Sequence, residues 1–213
     1  MFKHKLLSTV LALSAFGAVG QAQAYILGNS NFNAGNVLTI DGSTGLSNID
    51  SGWYATGSGH DPANQNYLAG TCCSNGNHNS FFVFDISTLS SPVSTASFTV
   101  FTYDASETLD YALYDFTGSV DALVGGFGGT SAYNDLASGV YYGGGAIGVS
   151  DNQSFKTFTL TGDAVTSLNA AIAAGQTRFV IGGSTTPVPE PVSLALLAAG
   201  LGIVAFVAKR RQG

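Results

Sequence analysis

The chain has 213 residues and a formal net charge of −6, and only 9% of its residues are charged, against roughly 25% in ordinary globular proteins. Its 45% hydrophobic content is too high for a disordered chain. Residues 25–187 contain two basic residues, Lys156 and Arg178, and 12 of the 13 acidic ones, a balance that argues against nucleic-acid binding.

The first 24 residues have the pattern of a secretory signal peptide. Two lysines precede an apolar stretch from Leu6 to Val19, and Ala22 and Ala24 frame a small-x-small cleavage site. An N-terminal membrane anchor is the alternative, but the stretch is short for a membrane span. We expect an exported chain that begins at Tyr25.

The middle of the chain has the pattern of β-strands. Apolar and polar residues alternate over 108–116, as in a strand with one buried face, whereas SFFVFDI at 80–86 is apolar on both faces and favours a central strand. Many short strands separated by turn residues predict an all-β fold, a single jelly-roll-like β-sandwich over residues 25–184. The predicted strands cover residues 66–70, 80–86, 96–104, 108–116, 140–142, 155–160 and 178–183.

Helical patterns are scarce. One short helix is predicted within residues 161–175, where apolar residues fall on one stripe, Asp163 lies at the start and Gly175 at the end. Two weaker helical turns are predicted at 119–124 and 131–137.

Two glycine-rich stretches are interpreted as turns. Residues 143–148 fit the G-x-G-x-x-G spacing of phosphate-binding loops, but no helix pattern follows, and a helix N-terminus is what holds the phosphate. We therefore expect a flexible turn there and a plain loop at 125–129.

Cys72 and Cys73 are neighbours in the sequence. Two free thiols are unusual in an oxidising compartment, so a disulfide between them is predicted, with pairing between chains and free thiols as alternatives. Zinc binding with His60 and His78 is disfavoured, because adjacent cysteines do not have the usual ligand spacing.

No catalytic residue, metal site or cofactor is predicted. The exported chain has two histidines and neither a G-x-S-x-G nor an H-E-x-x-H motif. A nucleophilic Cys73–His78 pair and a calcium site at Asp104, Glu107 and Asp110 are weaker alternatives.

Aromatic residues near turns are the candidates for ligand contact. Trp53, Tyr54 and Tyr67 could stack on sugar rings, as could Tyr141 and Tyr142. The alternative for each is packing in the core.

The C-terminal region has three parts. Pro187, Pro189 and Pro191 favour an extended linker over 185–191. Residues 192–208 are uncharged and long enough for a short transmembrane helix, and the basic residues in 209–213 place the C-terminus in the cytoplasm.

These parts together resemble the PEP-CTERM sorting signal. The resemblance covers about 25 residues: Pro189, Glu190 and Pro191, then the glycine-containing apolar run, then Lys209, Arg210 and Arg211. The Ser-Thr that commonly follows the second proline is replaced by Val192-Ser193. The resemblance implies a Gram-negative-type bacterium, processing by an exosortase at these sorting residues, and association with exported polysaccharide or biofilm matrix.

The exported domain has a second, softer resemblance. Through DSGWY, GSGHDPANQNYLAG, NSFFVFDIS and SETLDYALYD it is similar to PEP-CTERM proteins of unassigned activity, and more loosely to jelly-roll modules of carbohydrate-binding and DNRLRE type. The GGQ turn of that pattern is AGQ here, at residues 174–176.

These observations lead us to expect a non-enzymatic protein of the cell surface or extracellular matrix. It would pass through the inner membrane by its C-terminal helix and bind exopolysaccharide or serve as a structural component. The alternative is a secreted hydrolase that acts on extracellular polysaccharide, and a purely structural protein without a ligand is a third possibility.

Overall fold

The computed structural model of the protein describes residues 23–29, 35–73, 76–90 and 92–187. Ala22, the linker residues Pro189 to Pro191, the expected span 192–208 and the basic residues Lys209 to Arg211 lie outside the described residues. Within the described ranges, no helix has the length and apolar character needed to cross a membrane.

The described residues form a β-rich fold, which confirms the predicted predominance of strands. Eleven strands pair in one sheet, in the order β10-β6-β2-β3-β5-β11-β8-β9, with β4, β1 and β7 attached beside β5, and the strand pairs are antiparallel. The strands are β1 (Ala24–Asn29), β2 (Val37–Ile40), β3 (Thr44–Ala55), β4 (Asn66–Thr71), β5 (Asn77–Asp85), β6 (Ala96–Thr102), β7 (Asp104–Ala105), β8 (Leu109–Tyr114), β9 (Tyr141–Ile147), β10 (Ser154–Thr159) and β11 (Arg178–Pro187).

The prediction of one helix was wrong in number. The described residues contain three α-helices: α1 (Val120–Val124), α2 (Gly129–Asp135) and α3 (Gly162–Ala173), with a 3-10 turn at Val149–Asp151. The predicted helix is α3, which begins where the Thr161 hydroxyl accepts a hydrogen bond from the backbone N–H of Ala164 at 3.3 Å. Helices α1 and α2 stand where only weak turns were expected, and both are stabilised by packing on the sheet.

The sheet curls because β3 belongs to both of its halves. Residues 44–47 of β3 pair with β2, and from Asn48 onward the same strand pairs with β5, with a shift in register between Asn48 and Asp50. The two ends of the strand order approach each other on the far side: Thr161, just after β10, donates its backbone N–H to the carbonyl oxygen of Tyr142 in β9 at 3.0 Å. The curled sheet therefore encloses the main core.

The main core is aromatic and aliphatic. Phe82 and Phe98 lie with ring centroids 4.8 Å apart, and Phe82 and Tyr67 with centroids 4.9 Å apart. Each fully buried side chain of this size contributes about 1.5–3 kcal/mol to stability. Helix α3 closes one side of the core with Ala164, Leu168 and Ala171, and Val165 and Ile172 pack beside them.

A second, smaller core lies on the outer face of the sheet. Phe81 and Val83 of β5 point to this face and pack with Leu123 of α1 and with Ala132 and Leu136, in and just after α2. Phe82 and Phe84 point to the inner core. Strand β5 pairs with β3, β4 and β11, so the prediction of a central strand that is apolar on both faces is confirmed.

Several boundaries differ from the predictions. Gly143 to Gly145 belong to strand β9 instead of a flexible turn; they pair with β8 at φ values of 124°, 150° and 157° that side chains disfavour. Strand β11 continues to Pro187, three residues into the expected linker, and pairs there with Leu109. Strands β1 to β3 were not predicted.

Candidate functional site

Two of the aromatic candidates for sugar contact are not available to a ligand. Tyr54 and Tyr67 are fully buried, and their hydroxyl groups donate hydrogen bonds of 2.6 Å to the backbone carbonyl oxygens of Leu123 and Phe101. Their nearness to turns in the sequence hid the fact that both point into packed faces of the sheet. Packing in the core, the alternative interpretation, describes these two residues.

The other aromatic candidates are divided between core and surface. Trp53 is half-buried and meets the ring of His78 edge to face, with centroids 4.8 Å apart. Tyr142 stacks on Phe179, and burial is the main cause that raises the pKa of its hydroxyl to about 12. Tyr141 is exposed and contacts Tyr114.

Cys72 and Cys73 are bonded to each other in the structure, in the connection between β4 and β5. Cys72 is buried and its backbone N–H donates to the carbonyl oxygen of Gly76 at 3.1 Å, whereas Cys73 is exposed with φ of 60°. In this bonded form neither sulfur is a thiolate, which is the form that binds zinc or attacks a substrate.

The two histidines lie on opposite faces of the β3–β5 pair. His60 packs edge to face on Phe81, and its Nε2 lies 3.9 Å from Asp50 Oδ1. His78 lies beside Trp53, with Nδ1 3.2 Å from the carbonyl oxygen of Gly70. Burial is the largest cause that lowers the pKa of each ring below its ordinary value.

One of the three possible calcium ligands, Asp104, is engaged in structural contacts. Asp104 accepts hydrogen bonds from the Tyr25 hydroxyl at 2.9 Å and from Asn152 Nδ2 at 3.2 Å. In residues 23–29, 35–73, 76–90 and 92–187, no three side chains of His, Cys, Asp or Glu come together as a group that could hold a metal ion.

An open depression lies between α3 and the segment that follows β8, and we call it the α3 groove. It is open to solvent and has a volume of about 790 Å³. Its polar lining residues are Asp115, Thr117, Tyr142, Ser167, Gln176, Thr177 and Arg178. The groove exists because the pairing of β8 with β11 places residues 115–118 beside the start of β11.

Two charged groups of the α3 groove have defined partners. The guanidinium of Arg178 pairs with the exposed carboxylate of Asp121 at 2.5 Å. Asp115 Oδ1 accepts the backbone N–H of Val140 at 2.8 Å and so holds the loop that leads into β9. Arg178 is thus the charged group of this groove whose ion-pair partner, Asp121, is exposed to solvent.

A second depression, the Phe127 cleft, adjoins the groove. It has a volume of about 440 Å³ and shares Phe116, Thr117 and Gly118 with the groove. Phe127 stands at its mouth and is 87% exposed. Asp135 in its wall accepts the backbone N–H groups of Thr117 and Gly118 at 2.9 and 3.0 Å.

The two depressions share a lining of polar and aromatic side chains. Neither is lined by His, Cys or Lys. Their carboxylates, Asp115 and Asp135, both hold backbone N–H groups. What they offer a ligand is hydroxyl, amide and guanidinium groups beside aromatic rings, among them Phe116 and Phe127.

Sequence reasoning did not find this site. Its walls come from residues 115–135 and 167–180, which only the tertiary fold brings together. One local signal was present, Phe127 within the glycine run at 125–129. A loop gains little stability from an exposed apolar ring, so the ring is better explained by contact with a ligand. No protein-family model and no curated protein matches the chain.

Proposed function

We propose that this protein is an exported component of the cell surface or extracellular matrix that binds a glycan without chemically altering it. The observation that carries the proposal is the pair of adjoining open depressions, lined by hydroxyl, amide and guanidinium groups beside Phe116 and Phe127. Sugars offer hydroxyl groups to such polar side chains and apolar ring faces to aromatic ones. The volumes of the two depressions, about 790 and 440 Å³, each fall within the range of small-ligand sites, about 300–1,000 Å³.

The terminal segments support export. The signal-peptide pattern over 1–24 and the resemblance to the PEP-CTERM signal over the last 25 residues or so fit a route through the inner membrane of a Gram-negative bacterium, with an exosortase as processing partner. A disulfide between Cys72 and Cys73 fits the oxidising space outside the cytoplasm.

The curled sheet is also proposed to be a β-sandwich of jelly-roll type. Two features support this finer description: β3 is shared by the two halves of the sheet, and the main core lies between them. Jelly-roll domains often present ligand sites on their faces or edges.

We propose binding without catalysis because of the carboxylates that line the two depressions. A glycoside hydrolase uses two carboxyl groups flanking the scissile bond. Asp115 and Asp135 are the carboxylates that line the two depressions, and each is bound to backbone N–H groups that it would have to release. The alternative of a secreted hydrolase therefore has less support in this part of the molecule.

A glycan array tests the proposal with the exported protein and two matched variants. Arg178 and Lys156 are both ion-paired, with Asp121 and Asp151, but only Arg178 lines the α3 groove. We expect Arg178→Gln to weaken the strongest array signal about fivefold or more, and Lys156→Gln to leave it unchanged, since exposed ion pairs add little to stability.

Three outcomes would decide against this reading. An array without signal for the wild-type protein contradicts glycan binding. Equal loss in both variants shows that Arg178 does not act through the groove. Release of reducing sugar from a bound polysaccharide, abolished by Asp115→Asn or Asp135→Asn, favours the hydrolase.

A further inference from the structure

Phe127 is the most exposed large apolar side chain in the described part of the chain, at 87%. Other exposed aromatic rings there, such as Tyr141 and Phe155, are about half as exposed and pack against a neighbouring ring, Tyr114 and Phe101 respectively. Covering an apolar ring that is this exposed would remove a large apolar area from water, which is favourable.

The exposure of Phe127 does not come from a loose loop. Its backbone N–H donates to the carbonyl oxygen of Ala122 at 2.8 Å, and that of Gly126 donates to Leu123 at 3.2 Å. The next residue, Gly128, donates its N–H to the buried hydroxyl of Tyr54 at 3.2 Å. Three consecutive residues are therefore fixed to α1 and to the outer core, and the ring is presented by a hydrogen-bonded frame.

The Phe127 ring also has a defined orientation relative to the backbone. A Cβ atom on Gly125 would lie 3.0 Å from Cδ2 of Phe127, which means that the ring lies along the backbone of Gly125. The same ring forms part of the wall of the Phe127 cleft, whose other walls carry the hydroxyl groups of Thr117, Ser119 and Ser131. A ligand in the cleft therefore meets both aromatic rings and hydroxyl groups.

We infer that Phe127 is the stacking platform of the glycan site and that the site takes a neutral sugar ring. The inference rests on the proposed function and names the residue and the ligand class. A pyranose ring matches this arrangement, because its C–H face packs on an aromatic ring while its hydroxyl groups bond at the rim. A hydrocarbon chain would form no hydrogen bonds with the hydroxyl groups of the cleft.

The charge distribution selects for neutral glycans. The described part of the chain has 12 carboxylates and two cationic side chains, and both of these are already paired, Arg178 with Asp121 and Lys156 with Asp151. No unpaired Lys or Arg in these residues is left to attract a uronate or a sulfate. An anionic polysaccharide would meet repulsion from the net negative surface.

Affinity gel electrophoresis of the exported protein tests both parts of the inference. The neutral probes are dextran, mannan and xyloglucan, and the anionic probes are alginate and polygalacturonate. We expect at least one neutral gel to retard the wild-type protein, Phe127→Ala to weaken that retardation about tenfold, and Phe127→Trp to retain it. Phe155→Ala, which removes another exposed ring, on β10, is the matched control and should bind as the wild type does.

The outcomes separate the inference from the proposed function. Retardation of Phe127→Ala equal to that of the wild type overturns the platform and leaves glycan binding intact. Retardation by the anionic probes alone overturns the neutral class. A wild-type protein that none of the five probes retards removes the proposed function and the inference with it. Equal thermal unfolding midpoints for the variants show that any loss is a loss of binding.

Discussion

His60 and His78 are both buried, and burial is the largest reason that each has a pKa below the ordinary value of 6.5. Asp50 and Asp61 act on His60 in the opposite direction but do not cancel the effect of burial. The unfolded chain therefore protonates these rings before the folded chain does. Stability is fully present above a pH of about 6.5 and is lost as the pH falls below it. We expect urea unfolding to give a lower free energy of unfolding at pH 5.5 than at pH 7.5.

The carboxylates whose pKa is lowered do not obscure this window. Backbone and side-chain hydrogen bonds lower the pKa of Asp41, Asp85 and Asp151 from 3.8, so their contribution to stability is lost only in more acidic solution. Burial raises the pKa of Asp50, an effect of opposite sign that stabilises the folded state as the pH falls towards that pKa. The variants His60→Gln and His78→Gln should each reduce the difference between pH 5.5 and pH 7.5. A wild-type protein equally stable at both values would show that neither histidine is protonated differently on unfolding.

Residues 125–128, the loop that carries Phe127, join α1 to α2. The geometry of this loop depends on two glycines that differ in the space around their Cα atoms. Gly126 and Gly129 have φ of 79° and 58°, which side chains disfavour. A Cβ on Gly126 would also collide with the carbonyl oxygen of His60, whereas a Cβ on Gly129 meets nothing within 4 Å. We expect Gly129→Ala to cost about 1 kcal/mol of unfolding free energy and Gly126→Ala about 2–3 kcal/mol, measured by urea unfolding. Equal costs would mean that His60 does not hold this loop in place.

Most of the strands that could be predicted have buried side chains. Strands β5, β6 and β8 show β-branched and aromatic runs, because burial of those side chains is what holds them in the sheet. Strand β10 was predicted from its Phe and Thr residues, although only one of its residues is buried. Strand β3 has 12 residues and was missed: its first half is largely exposed and rich in Gly, Ser and Asn, so its pairing depends on backbone hydrogen bonds that leave no hydrophobic pattern. Residues 143–147 of β9 were predicted to be a turn for a similar reason, since the central glycines have no side chains to bury, whereas the start of β9 was predicted as a strand at 140–142.

The helices and the site show a further limit of local patterns. Helix α3 was predicted because its signals are close together in the sequence: a capping residue at its start, a stripe of apolar side chains and a glycine after its end. Helices α1 and α2 have 5 and 7 residues, too few to be stable alone, and they exist because Leu123, Ala132 and Leu136 cover the outer face of β5. The depressions beside them depend on contacts between segments about 50 residues apart, such as Arg178 with Asp121, which no local pattern records.

At the scale of the whole molecule, the two expected cuts fall at the margins of the folded sheet. Ala24 is the first residue of β1 and pairs with Thr71, and Pro187 is the last residue of β11 and pairs with Leu109. Removal of residues 1–24 therefore takes one residue from β1, and a cut at the Pro189-Glu190-Pro191 motif takes none from β11. The processed protein should keep all the strand pairs that close the sheet between β11 and β8.

Mass spectrometry of the exported protein checks this arrangement. We expect a chain that begins at Tyr25 and ends within residues 188–191, with the mass of one disulfide between Cys72 and Cys73. Its circular dichroism should show the β-sheet signal of a folded domain, because the register of β11 with β5 and β8 is intact. The variant Glu190→Ala is the matched control for the C-terminal cut and should accumulate with the tail attached. A C-terminus before Pro187 contradicts the arrangement, since it would remove the pairs of β11 with Leu109 and Asp110 that hold one side of the core closed.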